Sequence, residues 1–109
     1  MLELYQTEWC PASRRVRERL TELGLDYLVR QVPVQREERG ALLAATGADT
    51  IPALLLDDGA AVVGEDAIAA HLDEHFAEPP EAAAHRLKAA KARHRLLEEE
   101  CECLQPATH

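Results

Sequence analysis

Among 109 residues, one cysteine stands where a thiol can be made reactive: Cys10, followed by Pro11-Ala12-Ser13-Arg14-Arg15. Proline is tolerated in the first turn of a helix, where its missing N–H would have no partner, so Cys10 falls at the junction of a loop and a helix start. The unpaired N–H groups and the helix dipole favour an anion there, and they lower a thiol pKa from about 8.5 toward ~3.5–7.5. Arg14 and Arg15 add positive charge within one turn. A buried structural cysteine is the competing reading, because a free cysteine packs as a small hydrophobe. Two acids, Glu65 and Asp66, open another predicted helix and suit the positive end of its dipole. His71 and His75, spaced i, i+4, would make half a metal site, but no third ligand is placed to complete it, so they read as surface residues and no metal is expected. Cys101 and Cys103 are two apart on a predicted helix and point roughly 200° from each other. They read either as incidental cysteines or as a frayed end that reaches Cys10 as a resolving thiol.

The elements that must position these groups follow from the pattern. Leu2 to Tyr5 alternates apolar and polar residues and predicts a short strand. Ala12, Val16, Leu20 and Leu23 recur at helical spacing up to Gly24. Tyr27 to Val34 predicts a second strand, and Arg36 to Thr46 a short helix ended by Gly47. Strand, helix, strand implies parallel pairing with a right-handed crossover. Ala53 to Leu56, the turn Asp57-Asp58-Gly59, and Ala60 to Val63 predict a hairpin, followed by a helix marked by Ile68, Leu72 and Phe76. The order is βαβ then ββα.

Pro79-Pro80 closes this unit, so residues 1–78 read as one domain, 79–81 as a linker, 82–104 as a further helix rich in Ala, Leu, Glu, Lys and Arg, and 105–109 as a tail. Small or apolar residues of that helix fall at Ala83, Leu87, Ala90, His94, Leu97, Cys101 and Leu104. The stripe either packs back on the domain, which is the simpler reading, or joins two copies as a weak coil, making a homodimer through the C-terminal helix a candidate assembly. A third reading makes it the first helix of a further helical domain.

The run Tyr5-Gln6-Thr7-Glu8-Trp9-Cys10-Pro11-Ala12-Ser13-Arg14-Arg15 resembles the active-site segment of glutaredoxins and of the N-terminal domains of Cys-type glutathione transferases. Thr50-Ile51-Pro52 resembles their Thr-Val-Pro segment, whose proline is cis, and Gly64-Glu65-Asp66-Ala67-Ile68 is similar to the segment that binds the γ-glutamyl end of glutathione. The matches come in order over about 76 of the 109 residues. The resemblance implies an α/β thioredoxin-like fold of glutaredoxin type, with a four-stranded mixed sheet and an extra C-terminal helix. It implies Cys10 and Ser13 as catalytic residues. It further implies Trp9, Pro11, Arg14, Ile51, Pro52, Glu65 and Asp66 as glutathione-binding residues, with glutathione as cosubstrate. For Pro52 an ordinary trans turn, and for the two acids simple helix capping, remain the alternatives.

Two departures shape the expected chemistry. Ser13 stands at the second position of a Cys-x-x-Cys pair, so a dithiol cycle at this motif is excluded, leaving a one-thiol cycle on glutathione mixed disulfides of a protein or small molecule. Thr7 replaces a lysine that many glutaredoxins use for the glycine carboxylate of glutathione, a role for which Arg14 or Arg36 is a substitute. The leading expectation is a glutathione-dependent thiol-disulfide oxidoreductase. The rivals are a transferase-like enzyme, acting by conjugation or dehydroascorbate-type reduction, and a non-catalytic or iron–sulfur-binding adaptor.

Composition removes other classes. The formal charge of −8 argues against nucleic acid and anionic membrane as partners. No apolar run approaches the ~20 residues of a membrane span, and the first residues lack the pattern of a signal peptide, so the expected location is the cytoplasm. Residues 1–40 are neutral with seven arginines, four of them in 14–19, whereas 41–81 hold nine acids and no Lys or Arg. Brought together, these two regions are expected to leave an electropositive thiol site on an acidic body.

Overall fold

The computed structural model describes the backbone of residues 1–104 and the side chains through residue 95. Its elements are β1 (Leu2–Gln6), α1 (Pro11–Glu22), β2 (Tyr27–Gln31), a 3-10 turn (Arg36–Glu38), α2 (Gly40–Thr46), β3 (Ala53–Leu55), β4 (Ala61–Val63), α3 (Glu65–His75) and α4 (Ala82–Leu104). The sheet order is β2-β1-β3-β4, with β1 and β2 parallel and the other two pairs antiparallel. This is the thioredoxin-like α/β arrangement with a four-stranded mixed sheet. Leu4 sits at its centre, paired with Val29 on one side and Leu54 on the other.

The two faces of the sheet are covered unequally. Leu4 and Leu54 meet Val16, Leu20 and Leu23 of α1 and its C-terminal end, and Ile68 and Leu72 of α3. Leu4, Leu20, Leu54, Ile68 and Leu72 are fully buried, and each contributes about 1.5–3 kcal/mol by leaving water. The other face holds a smaller cluster of Val32, Leu42 and Ala53 beside α2. Because α1 and α3 pack on one face, their N-termini carry Cys10 and Glu65 to the same end of the sheet.

Three elements depart from the sequence pattern. β2 stops at Gln31 and not at Val34, since Pro33 has no N–H to continue the ladder. The expected helix from Arg36 to Thr46 is split: Arg39 leaves helical geometry between the 3-10 turn and α2, its side chain folded inward onto main-chain carbonyls. Gly47, at φ 77°, closes α2 in the left-handed conformation that glycine takes without a Cβ clash.

The third departure is the docking face of α4. Ala83, Leu87, Ala90 and His94 are exposed, Leu87 by 58%. The face turned to α1 is shifted by one residue. Ala82 is buried, Ala89 is half-buried, Arg86 bonds Glu22 and Glu78, and Arg93 bonds Glu18. Charged side chains with long stems form this contact, so apolar periodicity does not find the face that docks on α1, and the expected packing of the stripe back on the domain is not seen at its described positions. Leu97, Cys101 and Leu104 of the expected stripe lie outside the described side chains, as does the tail.

Arg19 extends the same clamp to Asp73, Glu22 and Glu78. Hydrogen bonds from Arg86 and then Arg19 hold the Glu78 carboxyl down at about 2, against an ordinary value of 4.5. A depressed carboxylate contributes stability above its unfolded pKa and loses it as the pH falls through the folded one. The Glu78 contribution is therefore full above pH 4.5 and gone below about 2. A carbon-13 titration of the Glu78 carboxyl should find its midpoint near 2, and Arg86→Ala should raise it toward 4.5.

Candidate functional site

The β1 to α1 loop is held from below. Gln6, a polar residue at a fully buried strand position, donates to Glu8 (3.0 Å) and Gln31 (3.2 Å) and accepts from Arg17. Arg17 also donates to the carbonyl of Thr7 (3.3 Å) and pairs with Glu8 at 3.3 Å. This network pins the segment that delivers Cys10, whose own N–H bonds the Thr7 carbonyl at 3.4 Å.

Cys10 is the N-cap of α1, with Pro11 as the first helical residue. In place of the usual oxygen, its sulfur accepts the Ser13 N–H at 3.4 Å. Partial burial pushes the thiol pKa up, but the Ser13 hydroxyl and N–H, the Ala12 N–H and the charge of Arg15 outweigh it, so the thiol lies below its ordinary value. The Ser13 hydroxyl is buried and completes no hydrogen bond in this structure. Thr7 Oγ1 is likewise buried without a partner.

The second wall is the 50–66 segment. The Ile51–Pro52 peptide bond is cis, Pro52 is fully buried, and the ladders of β3 begin only at Ala53, which leaves Ile51 outside the sheet. The Pro52 carbonyl accepts the Gly64 N–H at 2.9 Å, tying this segment to the start of α3. Gly64 has φ 96°, a region costly for a residue with a Cβ, and it turns the chain directly into Glu65 and Asp66.

Sequence reasoning gives Arg15 a role toward Cys10 alone; the structure adds a second. Arg15 forks onto Glu65, Nε to Oε2 and a second nitrogen to Oε1 at 2.8 Å, so the thiol helix and the acidic helix are bridged by one guanidinium. This pairing holds the Glu65 carboxyl below the usual carboxylate range. Arg19 and Arg17 are also engaged, and Arg36 pairs with Asp49 at 3.0 Å. Arg15, Arg19 and Arg36 thus pair with acids of the middle region and Arg17 with Glu8, so the expected local electropositive character around Cys10 rests on Arg15, itself paired, and on the exposed Arg14. Among the described residues the Arg14 guanidinium has no ion-pair or hydrogen-bond partner, while its backbone N–H donates to the Cys10 carbonyl at 3.0 Å.

Trp9 is 63% exposed beside the thiol, Pro11 and Asp66 are exposed, and Ile51 is half-buried. His71 and His75 stack on each other with ring centroids 4.2 Å apart, and no group of three metal ligands occurs among the described residues. Cys101 and Cys103 fall outside the described side chains. Arg39, which the pattern did not single out, is 8% exposed and donates to the carbonyls of Pro33 (2.8 Å), Asp49 (2.9 Å) and Val34 (3.1 Å). It fixes the loop just ahead of Ile51.

A family model described as the glutathione S-transferase N-terminal domain matches residues 4–80. Similar solved structures include a glutathione S-transferase from Rhodospirillum rubrum F11, with 32% identity, 72% of this chain and 35% of that chain covered, and TM-score 0.63. A glutathione S-transferase from Sinorhizobium meliloti 1021 has 31% identity, covering 73% of this chain and 38% of that one, with TM-score 0.64. A glutathione transferase homologue from Sulfitobacter, whose structure holds bound glutathione, has 26% identity, covering 76% and 39%, with TM-score 0.62. The chain thus spans between a third and two fifths of the length of these structures. No curated protein matches it.

Proposed function

The chain belongs to the glutathione S-transferase N-terminal domain family, and from that premise we propose that it binds glutathione and exchanges it through Cys10 as a mixed disulfide. The observation that carries this reading is the sulfur of Cys10 at the α1 N-cap, held by the Ser13 N–H and lowered in pKa. A conjugating enzyme must ionise the thiol of its substrate; a protein thiol that is itself stabilised as an anion is suited to attack sulfur.

In the proposed cycle the Cys10 thiolate attacks the glutathione sulfur of a mixed disulfide. A sulfur–sulfur bond forms at Cys10, the original disulfide bond breaks, and the departing thiolate takes a proton from water. The thiolate of a second glutathione then attacks the Cys10-bound glutathione sulfur, releasing the Cys10 thiolate and oxidised glutathione. The backbone of Ile51, outside the ladder, would pair with the peptide part of the ligand as an added strand. Glu65 or Asp66 would take its ammonium, and the free N–H groups at the start of α3 its α-carboxylate. Trp9, Pro11, Pro52 and Arg14 would line the ligand.

The substrates on this reading are glutathionylated proteins or small-molecule disulfides. Among the described residues no helix is long and apolar enough to cross a membrane. Transferase chemistry is the second reading, favoured by the names of the similar structures. The two part in one assay pair: the protein should reduce a glutathione mixed disulfide at the expense of free glutathione, and leave conjugation of an electrophilic aryl chloride at the uncatalysed rate. The reverse pair of results would replace thiol exchange by conjugation.

A further inference from the structure

The two edges of the sheet differ in length and charge. The β4 edge, Ala61–Val63, lies between Asp57-Asp58 and Glu65-Asp66, so a second copy meeting it would bring like charges together. The β2 edge, Tyr27–Gln31, is longer and sits within residues 1–40, the neutral part of a chain whose formal charge is −8. The Val32 N–H bonds the Gln6 carbonyl at 3.1 Å, and main-chain groups alternate in direction along a strand, so those of Tyr27, Val29 and Gln31 point away from β1 and out of the sheet. Sheet edges that stay single are usually blunted by charge, proline or a bulge. Here Leu28 and Val29 are exposed by 47% and 42%. Arg30, the one charged residue of β2, already engages Glu3 through Nε at 2.8 Å and Nη2 at 2.6 Å, which leaves Nη1 facing away from that carboxylate.

We propose that the β2 edge joins two copies of this chain, antiparallel about a two-fold axis at Leu28. In that register Tyr27 stands opposite Val29 of the second copy, and Val29 opposite its Tyr27. Each of these pairs exchanges two main-chain hydrogen bonds through the outward groups, and each sets an aromatic ring against a β-branched side chain. Between them Leu28 meets Leu28. Asp26, exposed and without an ion-pair partner among the described residues, falls opposite Arg30 of the second copy, and the symmetry makes that pair twice. Neighbouring registers lose these matches. Centring on Val29 sets Asp26 against Val32 and Leu28 against Arg30, and centring on Arg30 sets the two arginines against each other. A slip of one residue puts every side chain on the wrong face. Cys10 belongs to the connection between β1 and α1, so this pairing stands apart from the glutathione reading.

Sedimentation of the full chain under a phosphine reductant, from about 10 μM to about 1 mM, reads the association without disulfides. A contact this small is weak, and a dissociation constant of about 0.1 mM is expected. Asp26→Lys and Arg30→Glu should each weaken self-association about tenfold, because each sets like charges opposite one another at both ends of the pairing. An equimolar mixture of the two variants should recover the parental affinity, since both charge pairs across the mixed dimer again join opposite signs. Without reductant, Leu28→Cys should form an interchain disulfide in air faster than Val29→Cys, because opposed residues outside the hydrogen-bonded pairs bring their Cα atoms to about 4.5 Å. Peptide mapping separates that link from any through Cys10, Cys101 or Cys103. It leaves every charge in place, and so holds as a test if a charge variant fails to fold. A parent protein that stays monomeric at the top of the concentration range overturns the proposal, as does a mixture that associates no better than either folded variant alone. Faster linking by Val29→Cys overturns the Leu28 register and with it the pairing of Asp26 with Arg30.

Discussion

Replacing Cys10 by Ser should remove reduction of a glutathione mixed disulfide down to the uncatalysed rate, a loss of about three orders of magnitude or more, the scale on which a covalent nucleophile acts. The substitution exchanges one atom, and Ser is itself a favoured N-cap, so its oxygen should accept the Ser13 N–H that the sulfur accepts now. Helix α1 and the fold are therefore expected to persist. Affinity for S-methylglutathione should change by less than about threefold, because the proposed ligand contacts lie on Ile51, Glu65, Asp66 and the α3 N-terminus. A steady-state assay with calorimetry on the same sample separates lost chemistry from lost binding. Parental activity in Cys10→Ser would move the reaction to another thiol.

The second large effect is expected at Arg39. Arg39 is almost fully buried and its guanidinium serves three main-chain carbonyls, those of Pro33, Val34 and Asp49. Arg39→Met keeps the apolar stem and removes every donor. Hydrogen bonds to charged groups contribute about 1.5–3 kcal/mol each, and carbonyls near the surface recover part of that from water. The net loss is expected at about 2–4 kcal/mol, a large share of the stability of a small domain. Because Asp49 leads into Thr50-Ile51-Pro52, glutathione affinity should fall as well. Arg39→Lys should rescue little, since a single ammonium cannot fork onto three carbonyls. Urea denaturation gives the stability; an Arg39→Met protein as stable as the parent would show that the three carbonyls are served by solvent.

What was legible in the residues was mostly local. Pro11 after Cys10 marks a helix start because proline lacks the N–H that a first turn leaves unpaired, and the cap forms there. Leu4, Leu54, Ile68 and Leu72 announce a core through their periods. The cis Ile51–Pro52 bond came through the family resemblance and not from physics, since trans is the ordinary state of a prolyl bond. What escaped was long-range and polar. Arg39 reads as one more charged residue of a helix, and nothing local says that its partners are carbonyls six and ten residues away. The packing-back reading of the α4 stripe missed for the same reason: Arg86 and Arg93 dock on acids of α1, and the described stripe residues one position over, Ala83, Leu87, Ala90 and His94, are exposed. The charge count had a similar fate. Arginines crowded near Cys10 suggested a positive surface, but Arg15, Arg17 and Arg19 each reach a carboxylate.

The central claim is that Cys10, and not another thiol, carries glutathione. Incubation of the intact protein with oxidised glutathione at neutral pH, followed by peptide mapping without reductant, tests it most directly. The Cys10 peptide should gain the mass of one glutathionyl group ahead of the Cys101 and Cys103 peptide, and free glutathione should remove it. An unmodified Cys10 beside a glutathionylated Cys101 or Cys103 would contradict the account.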